Sequence, residues 1–368
     1  MPGDLATPTG GYRYDRRIIQ ELRKFGWEVN VLNIGHGFPF PSPSERATAL
    51  EILSEVPSGC PIVIDGLAFG TLPEAGALQA RTPLIALVHQ PLALEATLSA
   101  AQARAFRDSE RAALAAAARV IVTSEATARI MTADYRVPLE NVSVARPGND
   151  PVPQAVGSRD GIVRLVSVGS VVPGKGHDLL VAALATIADM PWRLTIAGDR
   201  TRNPAAASQL EADIAAYGLT DRVAMVGSLP SERVMELYVG SDIFVLASRF
   251  ESYGMALAEA IAHGLPIVST TAGAIPDTVP AKAGLLVPPD DADALAQALR
   301  RLIGNTAERR RFARNARTAA ARLPSWQDSA RRFADAIRSR QVLSSVSWAP
   351  ADAGTRRHRF QRPTRAAL

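Results

Sequence analysis

Short apolar runs rich in β-branched residues alternate with longer Ala- and Leu-rich runs along almost the whole chain. The short runs are typical of strands buried in a parallel sheet, and the longer runs are typical of helices. This alternation predicts parallel sheets with helices on both faces, which is the doubly wound α/β class. The strand candidates are residues 29–34, 62–65, 84–89, 120–123, 142–145, 163–168, 193–197, 223–226, 243–247, 267–269 and 285–287.

A Pro- and Gly-rich stretch interrupts this alternation near the middle of the 368-residue chain, and it predicts a linker between two domains. A chain of this length can form two domains, and both are expected to be Rossmann-like. A helix with Ser325 as its N-cap and a disordered basic tail follow them. The predicted bounds are 1–150 for the first domain, 151–161 for the linker, 162–324 for the second domain, 325–340 for the helix and 341–368 for the tail.

The composition excludes several classes of protein. The chain is 47% hydrophobic and 21% charged, as soluble globular proteins are, and its single cysteine, Cys60, excludes an internal disulfide. The tail at 341–368 carries +4 of the net charge of +5, so the nearly neutral remainder does not indicate nucleic-acid binding. No apolar run reaches the length of a membrane span and no signal peptide opens the sequence, so we expect a cytoplasmic protein.

The segment at residues 242–266 reads DIFVLASRFESYGMALAEAIAHGLP, a buried strand followed by a polar break and a helix from about Tyr253. A strand that feeds a helix N-terminus in this way is where α/β proteins bind ligands. Free backbone N–H groups near Ser252, Tyr253 and Gly254 would attract an anion such as a diphosphate. Two carboxylates flank that point, Glu251 in the break and Glu259 in the helix, and eight helical residues span about 12 Å.

This segment resembles the Glu-x7-Glu signature of the family 4 glycosyltransferases of group 1, which are retaining enzymes of the GT-B architecture. The resemblance implies two Rossmann-like domains that face a cleft and a C-terminal helix that crosses back to the first domain. It also implies that Glu251 holds hydroxyls of a donor sugar and that Glu259 holds the ribose of its nucleotide. A solvated loop glutamate and an ordinary helix-surface glutamate are the alternative interpretation.

A second loop, VGSVVPGKGHD at residues 168–178, follows a predicted strand and opens a helix. It resembles the Gly-Arg-x4-Lys-Gly loop of the same family, whose Arg and Lys bind the donor diphosphate. Lys175 matches the Lys, but Ser170 stands at the Arg position and supplies a hydrogen bond without a charge. His177, at the start of the next helix, is expected on the surface.

Two further sites are implied in the first domain. His89 ends a predicted strand, and the resemblance implies that it contacts the transferred sugar or shapes the acceptor site. Gly10 and Gly11 match a Gly-rich turn that lies under the donor diphosphate in the family. The family has a strand before this turn that is missing here, so we expect unpaired ladder groups beside it.

The remaining polar candidates are weaker. Asp199 follows a predicted strand and is expected to line the nucleotide pocket. Asp291 and Asp293 form an Asp-x-Asp sequence, but an N-cap and helix-dipole role explains them where a helix begins. We therefore expect no metal requirement and no cofactor besides the donor substrate.

The resemblance implies retaining transfer of a hexosyl unit from a UDP- or GDP-sugar to a glycan, lipid or small-molecule acceptor. A sugar-nucleotide epimerase or hydrolase of the same architecture is one alternative. A degenerate nucleotide-sugar binder without turnover is another, and Ser170 and the missing strand favour it. The helix at residues 16–27 carries a basic face beside apolar residues, which predicts at most weak peripheral contact with membranes.

Overall fold

The computed structural model describes residues 1–339 and the backbone of residues 365–367. The chain divides into two compact units. Unit 1 comprises Met1–Gly148 and Ser325–Leu368, and unit 2 comprises Asn149–Pro324. Each unit is built on one parallel sheet with helices, so the predicted α/β class is confirmed.

The strands and helices are numbered in chain order. The strands are β1 (Glu28–Asn30), β2 (Ile62–Asp65), β3 (Leu84–Val88), β4 (Arg119–Val122), β5 (Val142–Val144), β6 (Val163–Val168), β7 (Trp192–Ala197), β8 (Val223–Gly227), β9 (Ile243–Leu246), β10 (Ile267–Thr270), β11 (Gly284–Val287) and β12 (Arg365–Ala367). The helices are α1 (Gly10–Lys24), α2 (Pro43–Ser54), α3 (Gly66–Phe69), α4 (Ala100–Leu114), α5 (Glu125–Ala133), α6 (His177–Ala185), α7 (Pro204–Ala216), α8 (Ser231–Val239), α9 (Met255–Ala262), α10 (Ile275–Thr278), α11 (Ala292–Gly304), α12 (Thr306–Ala320) and α13 (Trp326–Ile337). Short 3-10 helices lie at Pro73–Ala80, Leu92–Leu94, Leu139–Asn141 and Pro173–Lys175.

The sheet of unit 1 has the strand order β1-β12-β2-β3-β4-β5, and all of its pairs are parallel. Every residue of β2, β3 and β4 is buried. Strands that are apolar on both faces need cover on both faces, which the helices provide. The uninterrupted apolar runs therefore account for a central parallel sheet.

The position between β1 and β2 is occupied by β12, from the far end of the sequence. Val29 pairs with Ala366, and Ile62 pairs with Ala367. The expected row of unpaired ladder groups beside the Gly-rich turn is therefore partly filled, because an extended backbone from elsewhere in the chain can supply parallel hydrogen bonds. The predicted disordered tail at 341–368 otherwise lies outside the described residues.

Helices α1 and α13 pack together in unit 1. Ser325 caps α13 as predicted, in a capping box with Asp328. The apolar face of α1, which includes Ile18, Ile19 and Leu22, is buried within the unit. Because that face is already covered, only the polar side of α1 is left for any contact with a lipid surface. None of the helices in the described part of the chain has the length and hydrophobicity needed to cross a membrane.

The sheet of unit 2 has the order β11-β10-β9-β6-β7-β8, again with parallel pairs. The chain runs outward from β6 through β7 to β8, and then continues on the other side of β6 with β9. This reversal makes β6 and β9 neighbours, with Leu165 beside Ile243. Ligands of open α/β sheets bind at the carboxyl ends of strands where the order reverses. The loops that follow β6 and β9 meet at that point.

Candidate active site

Glu251 lies in the loop between β9 and α9 and is held from several sides. Its Oε1 accepts hydrogen bonds from the Ser248 hydroxyl at 2.7 Å and from the Lys175 ammonium at 2.6 Å. Its backbone carbonyl accepts from the N–H of Ala274 at 2.8 Å. The Glu251 side chain is only 9% exposed, so it is not the solvated loop glutamate of the alternative interpretation. The carboxylate is fixed in one orientation.

Lys175 reaches Glu251 from the loop after β6, at the end of the 3-10 helix that precedes α6. The next residue, Gly176, has φ +64°, and a Cβ there would lie 2.0 Å from the Ala247 carbonyl oxygen. Only glycine allows this close approach of the two loops. The sequence motif therefore works through backbone packing that brings Lys175, whose side chain is 29% exposed, onto Glu251.

The first turn of α9 lies next to Glu251 in the chain. The helix begins at Met255, two residues later than predicted, because Gly254 adopts φ +83° and serves as the N-cap. No side chain caps this end. Tyr253 is buried, and its carbonyl accepts from the Thr278 hydroxyl at 2.6 Å, whereas Ser252 is half-buried. A helix N-terminus without a side-chain cap leaves N–H groups that favour an anion.

Glu259 lies on α9 and is half-buried. Its Oε2 accepts from the Tyr238 hydroxyl at 3.0 Å, and the Tyr238 ring stacks on His263 with 4.9 Å between centroids. The second carboxylate of the motif is therefore also oriented by neighbours within unit 2.

Ser170 follows β6 and Asp199 follows β7, and a backbone hydrogen bond joins the two loops that contain them. The N–H of Val171 donates to the Asp199 carbonyl at 2.8 Å. The Asp199 carboxylate accepts from the N–H and the hydroxyl of Thr201, both at 2.7 Å, and these hydrogen bonds lower its pKa. The carboxylate of Asp199 is thus engaged in its own turn, while Ser170 is half-buried at the strand end.

Arg249 is a site residue that the sequence reasoning missed. Its guanidinium forms two hydrogen bonds with Asp178, at 3.1 and 2.8 Å, and one with Asp290 at 2.7 Å. Its backbone N–H donates to the Gly174 carbonyl at 2.8 Å. The hydrogen bonds and charge of Asp178 raise the pKa of Arg249 against the effect of burial. Arg249 therefore ties the Lys175 loop to the Glu251 loop.

The expectation that His177 lies on the surface was wrong, since its side chain is 3% exposed. Nδ1 of the ring lies 3.5 Å from the Ser167 hydroxyl, and Nε2 lies 3.4 Å from the Gly169 carbonyl. Burial lowers the pKa of His177 to about 4. Its position in the first turn of α6 faces β6 and not solvent, which makes it a neutral support beneath the loop.

In unit 1, His89 follows β3 and meets two buried acids. His89 Nε2 lies 3.0 Å from Asp15 Oδ1 and 3.7 Å from Asp65 Oδ2. Gly11 packs on the ring, because a Cβ at Gly11 would lie 3.3 Å from His89 Cδ2. Gly10 begins α1. Burial opposes the charged ring, but the charge and hydrogen bond of Asp15 and the charge of Asp65 raise the pKa of His89 to about 9.

The two acids were not predicted as site residues. Asp65 directly ends the apolar run of β2, a position typical of functional acids at a sheet edge, and this pattern was available in the sequence. Asp15 lies inside α1 and has no such marker. In the part of the chain that the structure describes, these three side chains have the spacing that a metal site would need. One carboxylate oxygen each from Asp15 and Asp65 and one ring nitrogen of His89 lie within 4.8 Å of one another. A direct hydrogen bond joins His89 to Asp15, so we interpret the group as an ion-pair cluster.

The Asp-x-Asp sequence has the capping role predicted for it. The Asp291 side chain accepts from the N–H of Ala294 at 2.8 Å and caps α11. The absence of a metal requirement stays a prediction.

Unit 2 has another hollow of about 520 Å³ at the amino ends of β6, β7 and β8, opposite the Glu251 loop. Two of the arginines that line it have partners. Arg164 pairs with Asp160 at 2.7 Å, and Arg222 lies 3.9 Å from the centroid of Trp192. Because the hollow lies at the amino ends of the strands, and ligands of open α/β sheets bind at the carboxyl ends, we do not assign the active site to it.

Comparison with known proteins identifies the family. Residues 151–319 match the profile of Glycosyl transferases group 1, and residues 62–152 match that of Glycosyltransferase Family 4. The chain is 28% identical over 314 residues to the MMP alpha-(1->4)-mannosyltransferase of Mycolicibacterium hassiacum, covering 80% of this chain and 74% of that protein. It is 28% identical over 173 residues to the mannosylfructose-phosphate synthase of Agrobacterium fabrum, covering 42% of this chain and 38% of that protein.

Solved structures agree on the architecture. The sucrose-phosphate synthase of Thermosynechococcus elongatus superposes with a TM-score of 0.74 at 21% identity, covering 90% of this chain and 93% of that one. A glycosyltransferase from Rickettsia africae gives a TM-score of 0.69 at 16% identity, covering 92% and 96%. At these identities the likeness concerns the fold. Together with the two family matches, it establishes that the chain belongs to the family 4, group 1 glycosyltransferases and has their GT-B fold.

Proposed function

We propose that the protein transfers a hexosyl unit from a UDP- or GDP-sugar, with retention at the anomeric carbon, to a glycan, lipid or small-molecule acceptor. The observation that carries the proposal is the Lys175–Glu251 pair where the strand order of unit 2 reverses. An ammonium, an oriented carboxylate and an uncapped helix N-terminus converge there. These groups match the diphosphate and the hydroxyls of a nucleotide sugar.

Loss of the diphosphate creates charge at two places. The anomeric carbon becomes oxocarbenium-like, and negative charge builds on the leaving phosphate oxygen. Lys175 and the first N–H groups of α9 stabilise that oxygen, and preorganised groups of this kind need no reorganisation during reaction. Glu251 holds sugar hydroxyls and Glu259 holds the ribose, so most of the catalytic effect comes from positioning.

The Lys175 ammonium donates a hydrogen bond to Glu251 at 2.6 Å. A bound diphosphate offers the ammonium a second anionic partner, after which the freed oxygen of Glu251 can accept from a sugar hydroxyl. Ser248 keeps the carboxylate oriented during this exchange, because its hydroxyl bonds to the same oxygen. The pair therefore prepares both groups for the donor.

The names of two relatives support a phosphorylated small molecule as the acceptor. One is a mannosylfructose-phosphate synthase, and another is a D-inositol 3-phosphate glycosyltransferase that is 28% identical over 243 residues. We rank such acceptors first, ahead of glycans and lipids.

One observation favours a second candidate, a nucleotide-sugar binder without turnover. Ser170 stands where the family has an arginine, so the diphosphate loses one cation. Arg249 is engaged with Asp178 and Asp290 and leaves that position unfilled. The intact contacts of Lys175 and Glu251 argue for turnover.

A donor and acceptor screen tests the proposal. UDP- and GDP-sugars are ranked by thermal shift and then incubated with sugar phosphates, lipid acceptors and glycans. NMR of the product reports whether the new bond has the anomeric configuration of the donor. Transfer with retention supports the proposal, isomerised or freely hydrolysed donor supports an epimerase or hydrolase, and saturable binding without turnover supports the binder.

A further inference from the structure

We propose that the hollow at the amino ends of β6, β7 and β8 is a second ligand site of unit 2, which takes a sugar phosphate and strengthens nucleotide binding through α8. The hollow has a volume of about 520 Å³ and is lined by residues of the three strands and of the end of α8. The site itself is independent of the proposed function, whereas its effect on nucleotide binding rests on that function.

Three arginines form a row across the strands that line the hollow. Arg164 of β6 lies in register with Arg193 of β7. Arg222, directly before β8, continues the row, because its carbonyl accepts from the N–H of Leu194 at 2.8 Å. Like charges on neighbouring strands repel each other unless an anion joins them. The arginine row is therefore the part of the hollow that fits a phosphate.

The charge of this row is compensated only in part. Arg164 donates to the Asp160 carboxylate at 2.7 Å. Arg193 is exposed and has no hydrogen bond or ion pair within the described residues. The Arg222 guanidinium donates to backbone carbonyls and lies 3.9 Å from the centroid of Trp192, which orients it without cancelling its charge. Guanidinium groups held in this way suit a phosphate, which accepts two hydrogen bonds from each of them.

The amino ends of parallel strands usually disfavour an anion, because helix C-termini with free carbonyls lie there. At α8 these carbonyls already have partners. Those of Glu236, Tyr238 and Val239 accept from backbone N–H groups. That of Leu237 accepts from the Ser241 hydroxyl at 2.6 Å. The arginine row is therefore not needed to satisfy the end of α8, and its charge remains available to a ligand.

The rest of the lining suits the hydroxyls of a sugar. Thr195, Thr220 and Asp221 supply two hydroxyls and a carboxylate. Glu236 also lines the hollow and has its own cation in Arg233, at 2.5 Å. The volume of about 520 Å³ lies in the range of small-molecule sites, about 300–1,000 Å³. None of the described residues that line the hollow is aromatic, so a nucleotide base has no ring to stack on. A sugar phosphate thus fits better than a nucleotide.

Helix α8 connects the hollow to the proposed nucleotide site. Glu236 and Leu237 line the hollow. The next residue, Tyr238, is 2% exposed and donates to Glu259 Oε2 at 3.0 Å. Most of α8 before Tyr238 is exposed, so a ligand that contacts the helix adds substantially to its support. A sugar phosphate in the hollow should therefore hold Tyr238 against Glu259, the proposed ribose ligand, and raise the affinity for the nucleotide.

Isothermal titration calorimetry with mannose 6-phosphate tests the site. We expect saturable binding with a Kd of about 1 mM or tighter, and binding at least about tenfold weaker for mannose alone and for inorganic phosphate alone. Arg193→Gln should weaken the binding of mannose 6-phosphate about tenfold or more. Arg314→Gln, at an exposed arginine of α12, is the matched control and should leave that binding unchanged.

A second variant approaches the same site by adding charge. Ala224 is exposed and lines the hollow, so Ala224→Glu places a carboxylate beside the arginine row and should also weaken the binding of mannose 6-phosphate. Thermal unfolding of each variant shows that it is folded. Three results would overturn the proposed site: no binding to the wild type, equal binding of inorganic phosphate, or full binding by both Arg193→Gln and Ala224→Glu.

The link through α8 is measured by titrating UDP and GDP with and without saturating mannose 6-phosphate. The Kd of the nucleotide should fall at least about twofold, and the nucleotide should lower the Kd of mannose 6-phosphate by the same factor. Tyr238→Phe removes the hydroxyl that bonds to Glu259, so it should bind mannose 6-phosphate normally and lose this effect.

An unchanged Kd in the wild type, or an effect that persists in Tyr238→Phe, would overturn the link through α8. Competition between the two ligands would place mannose 6-phosphate in the nucleotide site and overturn the second site. If neither UDP nor GDP binds, the proposed function fails, while the titrations with mannose 6-phosphate alone still decide whether the hollow is a ligand site.

Discussion

Each unit places a cation against buried carboxylate at the carboxyl end of a parallel strand, but the two pairs differ in kind. In unit 2, Lys175 is a flexible ammonium that is 29% exposed and meets Glu251 across two loops. In unit 1, the imidazole of His89 meets Asp15 and Asp65 from a helix and a strand. The cation of the first pair is an ammonium, whereas that of the second is an imidazole, whose charge is favoured by the two neighbouring acids.

This difference determines which of the two cations can exchange its carboxylate partner for a ligand. A lysine on a glycine-rich loop can exchange its carboxylate for a phosphate, since the loop geometry holds without the ion pair. A histidine clamped by two buried acids cannot exchange its partners without leaving a buried charge unpaired. The Lys175 pair of unit 2 thus fits the proposed exchange with a phosphate, whereas the His89 ring of unit 1 is held in place by its acids.

The largest expected effect is at Glu251. Glu251→Gln keeps the side-chain volume but removes the charge that pairs with Lys175 and, in the proposed function, accepts sugar hydroxyls, so we expect kcat for transfer to fall about 100- to 1,000-fold. Initial rates at saturating donor measure it. Glu211→Gln, which changes an exposed acid paired with Arg200, is the matched control and should leave the rate unchanged. A Glu251→Gln variant with the wild-type rate would contradict the role given to the Lys175–Glu251 pair of unit 2.

A second prediction is that a histidine in each unit makes the free energy of unfolding depend on pH, in opposite directions. His177 supports the unit 2 loop as a neutral ring with a pKa of about 4. Because this value lies below that of an unfolded histidine, the unfolded chain binds the extra proton first as pH falls. The stabilisation is thus complete above about pH 6.5 and is lost toward pH 4, by about 2–3 kcal/mol.

Urea unfolding at pH 7.5 and 4.5 measures this loss. His177→Gln has no proton to bind, so its free energy of unfolding should fall less between the two pH values. The His89 cluster should change the free energy of unfolding in the opposite direction with pH. Its folded pKa of about 9 lies above that of an unfolded histidine, so its stabilisation is complete below about pH 6.5 and is lost as pH rises through 9. Equal acid sensitivity of wild type and His177→Gln would show that His177 is not the group responsible.

A third prediction concerns the loop packing. Gly176→Ala should destabilise unit 2 by about 3 kcal/mol or more, because it adds a clash with the Ala247 carbonyl to the cost of a left-handed conformation. Gly218→Ala is the matched control, since Gly218 has φ +67° with nothing within 4 Å of an added Cβ, and about 1 kcal/mol is expected. Chemical denaturation of both variants measures the difference. Equal losses would mean that the close approach of the two loops is unimportant.

The smallest effect is expected at Arg249. Arg249→Lys keeps the charge but loses the two-pronged contact with Asp178, so the Lys175 loop should loosen and KM for the donor should rise about three- to tenfold. Arg233→Lys, at an exposed pair with Glu236, is the control and should not change KM. A kcat effect without a KM effect would place Arg249 in the chemistry and not in loop positioning.

The sequence predicts the fold class and the family, since runs of buried strands and local loop motifs need no tertiary information. It also singles out Lys175 and Glu251, because each lies in a strand–turn–helix segment. Their direct contact depends on β6 lying beside β9, which chain order does not reveal. Both residues could be predicted from their local sequence, whereas the ion pair between them could not.

The unit 1 cluster is harder to predict, for a physical reason. Asp15, Asp65 and His89 are distant in sequence and come together only when α1 packs on the strand ends. The burial of His177 was missed because the first turn of a helix is usually polar and exposed, whereas here it faces Ser167 on β6. The strand β12 was missed because its polar surroundings in the sequence resemble a solvated tail.

The most direct test of the central claim is a crystal structure with an unreactive nucleotide diphosphate sugar. We predict diphosphate oxygens about 3 Å from Lys175 Nζ and from the first N–H groups of α9, with sugar hydroxyls on Glu251 and ribose hydroxyls on Glu259. A nucleotide bound elsewhere in unit 2, with the contact between Lys175 and Glu251 unchanged, would contradict it.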